Sequence, residues 1–268
     1  MAKVDILLTY WGDIELLKKA VESVLAQTEE DWKLMVFDDC YPSDEPAKYF
    51  KTIKDKRVIY HRHKKNMGIT HNFEFALRAA TAKYCVEMGC DDVMLPRYLE
   101  VALKNIGSAD FYQPGVEVID ENGTVYLPTV DRVKRLLQPR KSGNYKGEKL
   151  AASLCQGNWL YFPSIMWRTS TAQKYGFNTA YKIAEDVDLE LNIIKDGGVL
   201  AFDTTKTFQY RRSNKSLSSK EKKKGGVRFN EEADVYNHFA AEFERLGWKK
   251  ASRAAKLRIT SRLHELVS

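Results

Sequence analysis

The sequence predicts an α/β fold: a mostly parallel central sheet with helices on both faces, followed by a helical C-terminal extension. Three observations carry this prediction. Short apolar segments at residues 4–9, 32–37, 57–61 and around Tyr84–Val86 alternate with amphipathic stretches at Ile14–Gln27 and Ile69–Ala80. That spacing is the pattern of right-handed βαβ crossovers. Two adjacent carboxylate pairs, Asp38-Asp39 and Asp91-Asp92, stand where strands end, and open α/β sheets bind ligands at the carboxyl ends of their strands. Finally, no GxGxxG follows the first strand and no GxxxxGK[ST] occurs anywhere, which argues against a dinucleotide-binding enzyme and a P-loop NTPase.

The elements follow from local chemistry. Asp13 is suited to cap a helix whose Ile14, Leu17, Val21, Val24 and Leu25 share one face. Strand 32–37 runs into Asp38-Asp39 and a Pro- and Ser-containing loop. Beyond Asp91-Asp92, Pro96 stops the chain and opens a helix over Leu95–Ile106. A strand at Asp110–Gln113 comes next, then a hairpin over Val116–Leu127 turning at Glu121-Asn122-Gly123. Residues 131–147, with five Lys or Arg before Gly143, read as a mobile surface loop. The aromatic-rich Trp159–Trp167 stretch suits a strand lining an acceptor pocket. Ala184–Lys195 reads as a helix with Glu185, Asp186 and Asp188 in its first turn, ended by Gly197-Gly198. Strands at Val199–Phe202 and Thr207–Tyr210, a basic Ser-rich loop over 211–224, and helices at Arg228–Leu246 and Trp248–Leu266 complete the chain. The division expected is residues 1–215, in two halves that meet at about residue 95, then a basic extension over 216–268.

Composition is that of an ordinary globular protein. The net charge of +7 is uneven: from Lys220 onward twelve Lys or Arg face seven Asp or Glu. Charge gathered at one end suggests contact with an anionic surface. The last helix reads equally as an amphipathic helix lying on a membrane or as one packing on the domain. Interleaved basic and aromatic residues of the nucleic-acid-binding kind are absent, so no nucleic-acid partner is expected. Cys40, Cys85, Cys90 and Cys155 show no zinc spacing and read as reduced thiols. No apolar run reaches the ~20 residues that cross a bilayer. The N-terminal apolar stretch is short and broken by Asp5, unlike a signal peptide. The expected location is cytoplasmic and, on the membrane reading of the last helix, at the inner face of the cell membrane.

Asp91-Asp92 admits two readings. Both side chains could simply open a helix, or two like charges could await a hard divalent cation on a diphosphate.

Four stretches in order resemble the family 2 glycosyltransferases, inverting enzymes of GT-A fold. Leu8-Thr9-Tyr10 resembles the segment whose backbone touches the nucleotide base. Val36-Phe37-Asp38-Asp39-Cys40, with Ser43 and Asp44, is similar to the family's aspartate pair, placing Asp39 on base or ribose with Asp38 beside it. Asn66-Met67-Gly68 with Asn72 resembles the segment leading to the metal strand. Ala184-Glu185-Asp186-Val187-Asp188-Leu189 resembles the Glu-Asp motif, implying Asp186 as catalytic base with Glu185 as the alternative. A helix N-terminus is expected to lower the Asp186 pKa. The metal motif departs from the usual Asp-x-Asp-Asp: here it is Gly89-Cys90-Asp91-Asp92, so Asp91 is the implied ligand of Mn²⁺ or Mg²⁺, with Asp92 next to it and Cys90 a small filler. Tyr210–Ser216 resembles a basic loop in which Arg211 or Arg212 would meet the diphosphate; solvated arginines are the competing reading.

The resemblance implies a hexosyltransferase that moves a sugar from a nucleotide-diphosphate donor, a UDP-sugar, to a glycan or lipid-linked glycan in polysaccharide or lipopolysaccharide synthesis. The alternatives are a non-catalytic nucleotide-sugar binder and a metal-independent enzyme using a dTDP-sugar.

Overall fold

The computed structural model describes residues 2–212 and 226–266; the Ser213–Ser216 part of the expected basic loop lies outside them. The described strands are β1 (Val4–Tyr10), β2 (Trp32–Asp38), β3 (Val58–Arg62), β4 (Tyr84–Gly89), β5 (Val93–Met94), β6 (Phe111–Ile119), β7 (Gly143–Lys146), β8 (Met166–Arg168) and β9 (Val199–Arg211). The helices are α1 (Ile14–Leu25), α2 (Glu45–Thr52), α3 (Ile69–Ala79), α4 (Tyr98–Ile106), α5 (Thr129–Leu137), α6 (Gly147–Gln156), α7 (Thr169–Tyr175) and α8 (Glu185–Lys195), then α9 (Val227–Arg245), α10 (Lys249–Leu257) and α11 (Ile259–Leu266).

One sheet runs β3-β2-β1-β4-β8-β6-β9-β5, with β7 also on β9. It is parallel from β3 to β4 and between β6 and β9, and antiparallel where β8, β5 and β7 join. Every residue of β1 is buried, because both faces of the sheet are covered. Ile6, Leu8, Val36 and Val86 face α1 and α4. Leu7, Met35 and Cys85 face the layer that includes α3, α6 and α8. The Asp13 carboxylate caps α1 as expected, accepting from the Glu15 amide at 2.8 Å.

Several elements differ from the sequence reading, each for a tertiary reason. Residues 45–52 form a helix rather than a loop, with Pro46 in its first turn and Phe50 stacked on Tyr60 at 4.7 Å. The stretch read as a mobile loop over 131–147 is instead α5, β7 and the start of α6; α5 turns Asp131 inward, where its charge is paired. The hairpin over 116–127 reduces to a single bridge, Ile119 to Val125, because β6 finds its partner in β9. The two short strands expected at 199–210 are one, β9, bent past β6 at Gly115. A Cβ at Gly115 would lie 2.5 Å from the Thr204 carbonyl oxygen, so only glycine allows that approach. Trp159–Trp167 holds a 3₁₀ turn at Phe162–Ser164 before β8. The last helix breaks at Arg258, which has a left-handed φ of 45°.

The extension contributes to the core: α9 buries Val235, Tyr236, Phe239 and Phe243 with α8, and α10 buries Ala251 and Ala255 against α6. None of the helices among the described residues is long and apolar enough to cross a membrane.

Candidate active site

Because β1, β2 and β4 are parallel and in register, Thr9, Phe37 and Gly89 lie in one row, and the acids that follow share one sheet edge. At that edge Asp38 is fully buried. It accepts from the Tyr41 amide at 2.7 Å and from the Tyr60 hydroxyl, with Arg62 at 3.9 Å. Asp39 accepts from the amides of Met67 at 2.6 Å and Gly68 at 2.9 Å, while Asn66 donates to its carbonyl. Asp39 thus fastens the Asn66–Gly68 turn to β2, while Asp38 holds Tyr41 and Tyr60. Asn72 donates to the Phe37 carbonyl at 3.0 Å and meets the His63 ring at 2.9 Å, so it braces the edge from beneath. Thr9 and Tyr10 are buried, the Tyr10 hydroxyl donating to the Gly12 carbonyl, whereas Trp11 is exposed and lies edge-on to Tyr41 at 5.5 Å.

The metal candidates meet beside Gly89. A Cβ there would stand 2.6 Å from Asp92 Oδ2 and 3.2 Å from Asp91 Oδ1. The place of the family's missing first acid is therefore filled by the two later carboxylates. Asp92 is buried, its Oδ1 held by the Arg211 amide at 2.7 Å. Burial, and next the charge of Asp91, push its pKa well up; burial raises Asp91 as well. Among the described residues no group of three or more His, Cys, Asp or Glu is placed to hold a metal. Two converging hard oxygens whose ionisation is disfavoured nonetheless fit a divalent cation completed by phosphate and water. Burial lifts the Cys90 thiol to about 12, which keeps it a neutral filler.

Arg211 and Arg212 are not solvated loop residues. Arg211 is buried and donates to the carbonyls of Asp91 at 2.7 Å, Asp120 at 2.7 Å and Glu121 at 3.2 Å. Arg212 makes a two-pronged pair with buried Asp131, both bonds 2.9 Å, and Tyr161 donates to the same carboxylate at 2.7 Å.

Asp186 opens α8, its Oδ1 taking the Val187 amide at 2.7 Å. The expected lowering of its pKa is overturned: burial outweighs that amide and the nearby Lys134, leaving it at about 6. Glu185 rises to about 8, from burial and then the Asp186 charge. Glu190, one turn further on the same face, is fully buried and raised well up, with Asn158 donating to one oxygen at 3.0 Å. Facing these acids is Lys134 of α5, which donates to the Leu160 carbonyl at 2.6 Å and sits 4.5 Å over the Tyr161 ring. Burial, then Arg212, bring Lys134 down to about 8. Ala184, at the head of α8, has no capping side chain. Glu231 of α9 supplies one, accepting from the amides of Lys182 at 2.9 Å, Ile183 at 2.8 Å and Ala184 at 3.3 Å. Tyr210, pushed to about 12 mainly by burial, lies within the fields of Arg212, Asp92, Asp91 and Asp131.

The profile of the family described as glycosyl transferase family 2 matches residues 6–169, well over half of the chain. The chain belongs to that family. An uncharacterized glycosyltransferase of Methanocaldococcus jannaschii is 25% identical over 217 residues, covering 78% of this chain and 70% of the relative. The chain spans only 26% and 32% of the length of two rickettsial relatives. Among solved structures, S. aureus TarS 1–349 in complex with UDP-GlcNAc superposes with a TM-score of 0.74 at 13% identity, over 96% of this chain and 72% of that one. The mannosyltransferase PcManGT of Pyrobaculum calidifontis, in complex with GDP-Man and Mn²⁺, gives 0.68 at 12% identity, over 99% and 74%. These likenesses show the fold, GT-A, and the protein is a glycosyltransferase.

In this family 2 enzyme, sequence reasoning missed Asp131 and Lys134, because a run of basic residues hid the helical spacing of Val130, Val133 and Leu137. It also missed Glu232 and Arg228, which act on Asp186, and Glu231, which caps the helix ahead of it; the place of all three depends on how α9 returns to the domain.

Proposed function

We propose that the protein is an inverting transferase moving a sugar from a UDP-sugar to a hydroxyl of a glycan or lipid-linked glycan. The observation that carries this reading is the contrast at the head of α8. Burial raises both carboxyls, but the Lys134 and Arg228 charges draw Asp186 back toward its ionised form, whereas the Asp186 charge pushes Glu185 further toward its protonated one. Carboxyls pushed apart in this way divide into base and bystander. Asp186 takes the acceptor hydroxyl proton as that oxygen attacks the anomeric carbon. The bond to the diphosphate breaks on the opposite face, and its electron pair leaves with the nucleoside diphosphate. Lys134 keeps Asp186 charged before the reaction and faces the acceptor side. Asp39 serves the nucleotide by holding the Asn66–Gly68 turn and Asp38 by holding Tyr41 and Tyr60, and Asp91 and Asp92 would hold Mn²⁺ or Mg²⁺, which supplies charge for the leaving diphosphate. Arg211 acts on that site through Asp91 and Asp92, and Arg212 through Asp131. The UDP-GlcNAc and GDP-Man complexes of the structural neighbours support a nucleotide-sugar donor.

A thermal-shift panel of UDP, GDP and dTDP, each with EDTA, Mg²⁺ or Mn²⁺, tests this. A ligand at ~100 times its Kd stabilises by about 2.7 kcal/mol. UDP stabilisation that requires metal is expected. Silence with all three nucleotides would overturn the donor assignment.

A further inference from the structure

Two helices carry apolar side chains into solvent on one flank of the molecule. On α5, Leu136 is 79% exposed and Val133 39%; on α11, Leu263 is 57% and Ile259 50% exposed. The two helices converge at one point: Leu137 Cδ1, at the end of α5, and Thr260 Oγ1, at the start of α11, approach the Cβ position of Gly157 to 2.8 and 2.7 Å, and Thr260 donates to the Gln156 carbonyl at 2.7 Å. A surface helix ordinarily turns its apolar stripe to the core. On α5 the inward positions include Asp131 and Lys134, and the apolar stripe runs out into water. Its neighbours are cationic. Arg132, Arg135 and Arg262 are exposed, and none is in an ion pair among the described residues. Apart from buried Asp131, the two helices carry one carboxylate, Glu265.

We propose that α5 and α11 form one docking face for an anionic lipid bilayer. Val133, Leu136, Ile259 and Leu263 enter the headgroup layer while the arginines meet lipid phosphates, the arrangement of an interfacial amphipathic helix. Charge complementarity selects this occupant, since a self-complementary dimer would set these arginines against one another. The helix lying on lipid is also the helix that walls Asp186, so a lipid-linked acceptor would be met where it is anchored. Only that last link rests on the function proposed above.

The test is co-sedimentation of the full chain with phosphatidylcholine vesicles, with and without phosphatidylglycerol. Binding is expected only with the anionic lipid, weakening with salt. It should fall at least about tenfold in Leu136→Glu/Leu263→Glu and in Arg132→Glu/Arg135→Glu, since each basic residue contributes about 1 kcal/mol at such a surface. Both pairs are exposed, and unchanged circular dichroism confirms the fold. Undiminished binding by the variants, equal binding to neutral vesicles, loss only on replacing Lys249 and Lys250, or a dimer dissolved by the leucine pair without vesicle binding would each overturn the proposal. Vesicle binding without nucleotide stabilisation would leave it standing and remove only the donor assignment.

Discussion

At the scale of single residues, Asp186 and Lys134 set the pH behaviour. The folded pKa of Asp186, about 6, lies above its ordinary 3.8. Its stabilising contribution is therefore complete below about 3.8 and lost as pH rises through about 6. Asp186→Asn should lower kcat by about 10²–10⁴. The same change should raise stability at pH 8 by up to roughly 3 kcal/mol, with little change at pH 3.5; thermal melts at the two pH values check the sign. Lys134 holds that pKa down. Lys134→Met should move the acid limb of the kcat/KM profile upward by roughly half a unit to one unit, which a pH series reads directly. Gly89 poses a steric question. Gly89→Asp would restore the family's usual first acid, yet its Cβ falls 2.6 Å from Asp92 Oδ2. Metal-dependent nucleotide stabilisation should weaken in that variant rather than strengthen, as a titration with Mn²⁺ would show.

At the scale of elements, the base-bearing helix is set by another helix. α8 opens at Ala184, which offers no cap, and Glu231 of α9 takes the amides ahead of it. Glu231→Ala leaves those partly buried donors without their acceptor, at a cost of about 1–3 kcal/mol, and loosens the position of Asp186. A fall in kcat larger than the rise in KM, alongside a lowered Tm, is expected; an unchanged kcat would show that the cap does not reach the base. α5 was illegible for a related reason. Its spacing is helical, but its inward side carries Asp131 and Lys134, so the usual polar-out pattern is reversed around the site.

At the scale of the whole molecule, α9 and α10 complete the core rather than hang from it. α9 alone buries Val235, Phe239 and Phe243. Each such aromatic is worth about 3–5 kcal/mol when truncated to alanine, against a typical total stability of about 5–15 kcal/mol. A chain ending at residue 215 should therefore lose its cooperative thermal transition, as calorimetry would show. The basic surface charge of this region remains outside, on the faces that α9 and α10 leave to solvent.

The sequence alone determined the βαβ order, the parallel edge carrying Asp38, Asp39, Asp91 and Asp92, the cap at Asp13, and the helix headed by Glu185 and Asp186. These are local signals of periodicity, turn chemistry and capping, read within a dozen residues. Only the tertiary structure decided that Asp92 fills the space at Gly89, that Arg211 is buried on carbonyls and Arg212 is paired with Asp131, and that Asp186 is raised rather than lowered. It likewise decided that Lys134 and Glu231 surround the base. Burial and long-range charge depend on which distant segments meet, and Glu231 stands 47 residues from the Ala184 amide it accepts. No local pattern encodes that distance; the packed core does.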